Sequence, residues 1–205
     1  MSTTASAPVV LLAAALLALP GGGALAQNQA ATPAQPRGPF YPITFPKESD
    51  PDLARYGDQA AEGQPLVVAG RILDRAGAPV GGARVEIWQT NAKGRYHHEK
   101  DDSPAPVDRG FQGWGQETTD ASGAFRFRTV LPRAYSGRTP HIHFAVTVPG
   151  GRPFYTQLYF PDAPENREDF LLQRLGREQQ QRLMARMEKP AAGGETVARF
   201  DIVLP

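Results

Sequence analysis

His141-Ile142-His143 places two imidazoles at positions i and i+2. On a strand, both rings point to one face, about 6.6 Å apart, and two imidazoles at that separation can converge on one metal ion. A pair of surface histidines beside a polar cross-strand neighbour is the plainer use of the same spacing. No carboxylate follows shortly after the second histidine, where Phe144-Ala145-Val146-Thr147-Val148 stands, and the two other histidines, His97 and His98, are remote in sequence. The available extra ligands are Tyr96 and Tyr135. A free phenol ionises only near pH 10, so it needs a strongly Lewis-acidic ion to bind as phenolate at neutral pH. Hard phenolate oxygens suit a trivalent ion such as Fe(III). Taken singly, each tyrosine is more often a core or rim residue.

These side chains need a framework of strands and turns. Leu66–Leu73 reads as a strand, followed by the turn cluster Asp74–Pro79. In Ala83–Gln89, the apolar Ala83, Val85 and Ile87 alternate with Arg84 and Glu86, which is the pattern of a half-buried strand. The turn Asn91–Gly94 then delivers Tyr96, and residues 97–118 read as a long polar loop whose Phe111 and Trp114 argue for an ordered, functional segment. Further strands are expected at Ala124–Val130, Pro140–Val148, Phe154–Phe160 and Val197–Leu204. Short helices are expected near 164–188, with Asp162 and Glu165 in a capping-box-like start and Gly176 as a break. Short strands at this spacing predict a mainly β fold, an antiparallel β-sandwich.

Composition narrows the chemistry. The 205 residues include no cysteine, which removes disulfides, thiolate metal sites and cysteine nucleophiles, so nitrogen and oxygen must hold any metal. A net charge of +1 supplies no field for nucleic acid or an anionic membrane. The charged residues avoid positions 1–26, where eleven apolar residues, Val9–Leu19, precede Ala24-Leu25-Ala26. This is the pattern of a secretory signal peptide. The run rises about 16 Å as a helix, too short for a bilayer core of about 30 Å. The expected division is a signal peptide at 1–26 cleaved at Ala26, an extended arm at 27–62 with the aromatic stretch Gly38-Pro39-Phe40-Tyr41-Pro42 docked on the body, and one domain at 63–205. The mature chain would be exported, periplasmic or secreted, with no membrane span.

The strings Gly70-Arg71-Ile72-Leu73-Asp74, Gly82-Ala83-x-Val85-Glu86-x-Trp88-Gln89-x-Asn91-x-x-Gly94-x-Tyr96, Thr119-Asp120-x-x-Gly123 and Arg138-x-Pro140-His141-Ile142-His143-Phe144 resemble the intradiol ring-cleavage dioxygenases. Within that family the likeness is to the branch of the iron-binding β chain of protocatechuate 3,4-dioxygenase, and it runs from about Gly38 to Phe160. The resemblance implies a β-sandwich domain that holds a non-haem Fe(III) by Tyr96, Tyr135, His141 and His143. In the implied arrangement Tyr135 and His141 are axial, Tyr96 and His143 equatorial. It further implies that dioxygen cleaves a catechol-type substrate to a cis,cis-muconate-type diacid. Tyr135 would take up a substrate proton, Arg138 would stabilise developing negative charge and Gln157 would lie near dioxygen.

Between Tyr135 and His141 the chain is shorter than in the protocatechuate enzyme, which bears on substrate choice. Residues 27–62 lack the helical period of the dimerisation region of the catechol and hydroxyquinol branches, and a homo- or hetero-oligomer is left open. The competing expectation is an exported, non-catalytic β-sandwich binding module, because turns such as Asp74-x-x-Gly77-x-Pro79-Val80 also occur in such modules. That alternative gives no reason for two tyrosines and His-x-His at these positions.

Overall fold

The computed structural model describes Met1, residues 28–189 and residues 194–205. The expected signal peptide and its cleavage point at Ala26 therefore lie outside the described residues, apart from Met1. A small hairpin, β1 (Arg55–Tyr56) and β2 (Gln59–Ala60), precedes β3 (Pro65–Leu73), β4 (Arg84–Trp88), β5 (Trp114–Thr118), β6 (Ala124–Val130), β7 (His141–Thr147) and β8 (Phe154–Tyr159). After two 3-10 turns, Pro164–Arg167 and Leu172–Arg174, come a five-residue helix α1 (Arg177–Gln181) and the strands β9 (Arg186–Glu188), β10 (Thr196–Arg199) and β11 (Ile202–Val203).

One sheet runs in the order β5-β4-β7-β8, all antiparallel. In the other, β3 pairs antiparallel with β6, while β10 and β11 pair parallel with β3 and β9 closes the edge antiparallel to β10. The expected mainly β fold is present, with this parallel C-terminal edge as a refinement. The break between β10 and β11 falls at Gly70, where an added Cβ would lie 1.9 Å from the carbonyl of Phe200. Only glycine permits that backbone approach.

Side chains alternate across β7: Ile142, Phe144 and Val146 enter the apolar core with Val68 and Phe127 of the other sheet, and His141, His143 and Ala145 face outward. That outward face is covered. Backbone N–H groups of Thr32 and Gln35 donate to Val203 and Tyr155, and the Thr156 hydroxyl donates to Pro33, so the arm lies along the edge strand β8. Leu53, fully buried, is part of the core.

Three local expectations are corrected. The stretch 97–118 ends in β5, whose glycine and polar residues concealed a strand paired with β4. Residues 186–188 are strand β9, because tertiary pairing with β10 overrides the helical spacing of the nearby apolar residues. Asp162 caps nothing: Ala163 holds the N-cap position of the first 3-10 turn, with no side-chain cap bond.

Candidate active site

Four elements bring the predicted side chains together. The turn after β4 is tied by Asn91, whose Oδ1 accepts from the N–H groups of Lys93 and Arg95, and the N–H of Tyr96 donates to Asp101 at 2.6 Å. Tyr96 is thereby held at 2% exposure. Tyr135 and Arg138 face one another across a two-residue turn: each N–H donates to the other's carbonyl, at 3.2 and 2.7 Å. Ser136 and Gly137 both have positive φ, 43° and 73°, as a tight hairpin turn requires. Directly opposed residues emerge on the same side, so this turn sets a phenol beside a guanidinium.

The strand β7 supplies the histidines. Their Nε2 atoms lie 3.1 Å apart, and Nδ1 of His141 is 2.6 Å from the carbonyl of Thr139. A carbonyl can only accept, so the His141 proton is on Nδ1 and its Nε2 turns a lone pair toward Nε2 of His143. His143 stacks on Trp88 with centroids 4.9 Å apart and ring planes 7° from parallel. The Tyr96 ring meets those of Tyr135 at 5.0 Å and His143 at 6.3 Å, and Tyr135 meets His141 at 5.6 Å.

Burial, reinforced by the Arg138 charge, lowers the His141 pKa to about 3. Burial, His141 and Arg138 hold His143 well below its ordinary value. Both rings are therefore neutral at neutral pH. Burial and the neighbouring Tyr135 push Tyr96 well above the ordinary phenol range, and burial raises Tyr135 as well. Two phenols in such a place need a cation to ionise.

The arrangement fits a metal ion. The Tyr96 hydroxyl is buried with no hydrogen-bond partner among the described residues, and it belongs to the same cluster as the converging Nε2 pair. Among the described residues, no group of three or more His, Cys, Asp or Glu side chains is arranged to hold one. A metal here would have the two histidines and the adjacent Tyr96 and Tyr135 side chains to draw on.

Arg138, 7% exposed, is clamped from several sides. Its Nε donates to Asp169 at 2.8 Å, and its Nη2 donates to Gln157 at 2.8 Å and to the Tyr159 hydroxyl at 3.1 Å. Burial opposes its charge, and Tyr159 and Asp169 outweigh that penalty, so its pKa is raised. Gln157, opposite His143 in the strand register, donates its amide N–H to the arm at Pro36. Asp169 and Tyr159 were missed by sequence reasoning. Tyr159 carries a findable signal, since it shares the face of Gln157 two residues on. Asp169 carries none: nothing in its local sequence points 30 residues back to Thr139, whose N–H it also accepts.

Residues 37–205 match the sequence profile of a family described as Dioxygenase. The protocatechuate 3,4-dioxygenase beta chain of Burkholderia cepacia is 38% identical over 167 residues, covering 76% of this chain and 71% of the relative. The chain belongs to the intradiol ring-cleavage dioxygenases. Within the family, catechol 1,2-dioxygenase 2 of Acinetobacter lwoffii is 33% identical over 157 residues, covering 68% of this chain and 54% of its own. The solved dioxygenase domain of a dioxygenase carbohydrate-binding protein fusion from Streptomyces sp. SirexAA-E superposes with a TM-score of 0.67 at 32% identity, over 85% of this chain and 98% of that one. The non-catalytic module alternative finds no support among these relatives of the intradiol dioxygenase.

Proposed function

We propose that this intradiol dioxygenase binds one Fe(III) through Tyr96, Tyr135, His141 and His143 and uses dioxygen to cleave a catechol-type ring to a cis,cis-muconate-type diacid. The observation that carries the reading is the 3.1 Å convergence of two neutral Nε2 atoms beside the unpartnered Tyr96 hydroxyl. When bound, the ferric ion supplies the Lewis acidity that ionises the phenols and withdraws electron density from the catechol, making it reactive to dioxygen.

The chain's own groups do the rest. The Thr139 carbonyl fixes the His141 tautomer, and Trp88 holds the plane of His143. The Tyr135 oxygen, as phenolate, accepts one substrate hydroxyl proton. Arg138, fixed by Asp169, Gln157 and Tyr159, presents a permanent positive charge to the electron-rich ring as negative charge develops on it. Gln157 lines the approach of dioxygen and orients Arg138 through its carbonyl. The docked arm, with Gly38 against His143 and Phe40 against Tyr96 and Tyr135, keeps bulk water from the cluster.

Iron-loaded protein should carry one iron per chain and a visible absorption band from tyrosinate-to-ferric charge transfer. Arg138→Ala should keep both while turnover of catechol falls about 100-fold or more. A protein that stays colourless and inert after iron loading would overturn the assignment, and unchanged turnover in Arg138→Ala would remove the role of that residue. Export follows as a companion proposal, tested by whether the mature protein begins at Gln27.

A further inference from the structure

Thr139 stands between two functional parts of the site, with Arg138 before it and Pro140-His141 after it. It is fully buried, and each of its polar groups is taken. Its N–H donates to Oδ2 of Asp169 at 3.0 Å, its hydroxyl donates to Oδ1 of Asn166 at 2.8 Å, and its carbonyl accepts from Nδ1 of His141 at 2.6 Å. Pro140 disfavours helical backbone at Thr139, so with the N–H and the hydroxyl tied, the direction of that carbonyl is set. The same Oδ2 of Asp169 accepts from Nε of Arg138 at 2.8 Å. One carboxylate oxygen thus holds both the guanidinium and the residue that aims the His141 ring.

Asp169 is itself held fast. It is fully buried, its Oδ1 accepts from the N–H groups of Leu171 and Leu172 at 3.1 and 2.9 Å, and Leu172 is fully buried in the apolar core. Asn166 is fixed in the same segment by donating to the carbonyl of Phe160 at 2.7 Å. Holding Arg138 alone needs one oxygen and an opposite charge. The segment supplies more: a bond to the Thr139 N–H and a second tether at Asn166, both on the residue behind His141. We infer that Asp169 is a positioning residue for two groups at once, setting the Arg138 guanidinium directly and the His141 ring through Thr139, so that the two stand in one fixed relation. That His141 is a metal ligand rests on the proposed function; the coupling through Thr139 does not. Partners behind ligating histidines are worth about 10-fold to 100-fold in metal affinity or activity, and a group misplaced by about 1 Å can cost about 100-fold in rate. A single change at Asp169 should therefore register at both groups.

Asp169→Asn keeps the shape, but whichever way its amide turns, an NH2 faces two N–H donors. In metal-free protein, NMR should show an exchange-protected Nδ1–H proton of His141 in the native chain, lost or shifted in Asp169→Asn. Iron-loaded Asp169→Asn should release iron to a chelator about 10-fold to 100-fold faster than native and, per iron bound, turn over catechol at least about tenfold more slowly. Arg138→Ala leaves Asp169 bonded to Thr139 and should keep the His141 proton and an iron-release rate close to native. Thr139→Val keeps the backbone bonds and loses only the Asn166 tether; it should quicken iron release about threefold to tenfold, and it carries the test if Asp169→Asn does not fold. The inference fails if folded Asp169→Asn keeps the His141 proton and the native iron-release rate, because Asp169 would then act on Arg138 or on stability alone. It fails equally if Arg138→Ala releases iron as fast as Asp169→Asn, or if Thr139→Val matches native. Because the His141 proton is read without iron, its loss in Asp169→Asn from a chain that binds no iron would sink the proposed metal site and leave the coupling standing.

Discussion

The two faces of the β5-β4-β7-β8 sheet are built from the same strands to opposite specifications. Toward the other sheet, Ile87, Ile142, Phe144 and Leu158 are each fully buried and wholly apolar, a surface whose single task is packing. On the far side, Trp88, His141, His143 and Gln157 are also 0–2% exposed, yet they carry polar atoms, some of them unpartnered. Equal burial thus serves two ends. The inner face stabilises the fold through dispersion and the hydrophobic effect, and the outer face holds polar atoms in a fixed, dry arrangement at a cost in stability.

Substitutions on each face break this comparison in different ways. The largest loss of stability is expected from Phe144→Ala on the inner face, about 3–5 kcal/mol in urea unfolding of metal-free protein. Next is Asp169→Asn, which removes the charged partner of Arg138 and should cost about 1.5–3 kcal/mol. Burial raises the Asp169 pKa, but hydrogen bonds from the Leu172 N–H and Arg138 outweigh it, so the folded value lies below the ordinary 3.8. Its contribution is therefore fully present above that value and lost as pH falls through the folded pKa. The acid limb of a Tm-against-pH curve should flatten in Asp169→Asn, and an unchanged limb would remove the pair from the account.

His143→Ala on the outer face should cost metal-free protein only about 0.5–1.5 kcal/mol, chiefly the stacking on Trp88, while iron binding is abolished. Full iron occupancy in that variant would remove His143 from the ligand set. The smallest effect is expected at Ser136, a non-glycine residue at φ 43°. Ser136→Gly should change stability by less than about 1 kcal/mol, since relief of the left-handed backbone is offset by unfolded-state entropy. A loss of several kcal/mol would show that the Ser136 side chain does more than occupy the turn.

The alternation of β4 and β7 made both faces legible, because period two separates Ile142 and Phe144 from His141 and His143 in any strand. The Asn91–Gly94 turn was legible in its residue types, and Tyr135 and Arg138 were singled out through the family resemblance. Leu53 was not, because its neighbours Asp52 and Ala54 give no periodicity and its burial comes from the way the segment folds onto the body. Strand β5 was hidden for a related reason: Gly115, Gln116 and Glu117 have weak strand character, and pairing with β4 decides their conformation. Asp169 and Gln35 act on the site across long loops. Gln35 accepts from the Tyr159 hydroxyl at 3.2 Å, a contact between residues 124 positions apart that no local pattern encodes.

The central claim, that the outer-face cluster of Tyr96, Tyr135, His141 and His143 supports ring cleavage, is tested most directly by following dioxygen uptake and product together. Iron-loaded protein given catechol should consume one dioxygen per catechol and release the ring-opened diacid. Tyr96→Phe and Tyr135→Phe should each depress both signals. Dioxygen uptake without ring opening, or undiminished cleavage by either tyrosine variant, would contradict the account.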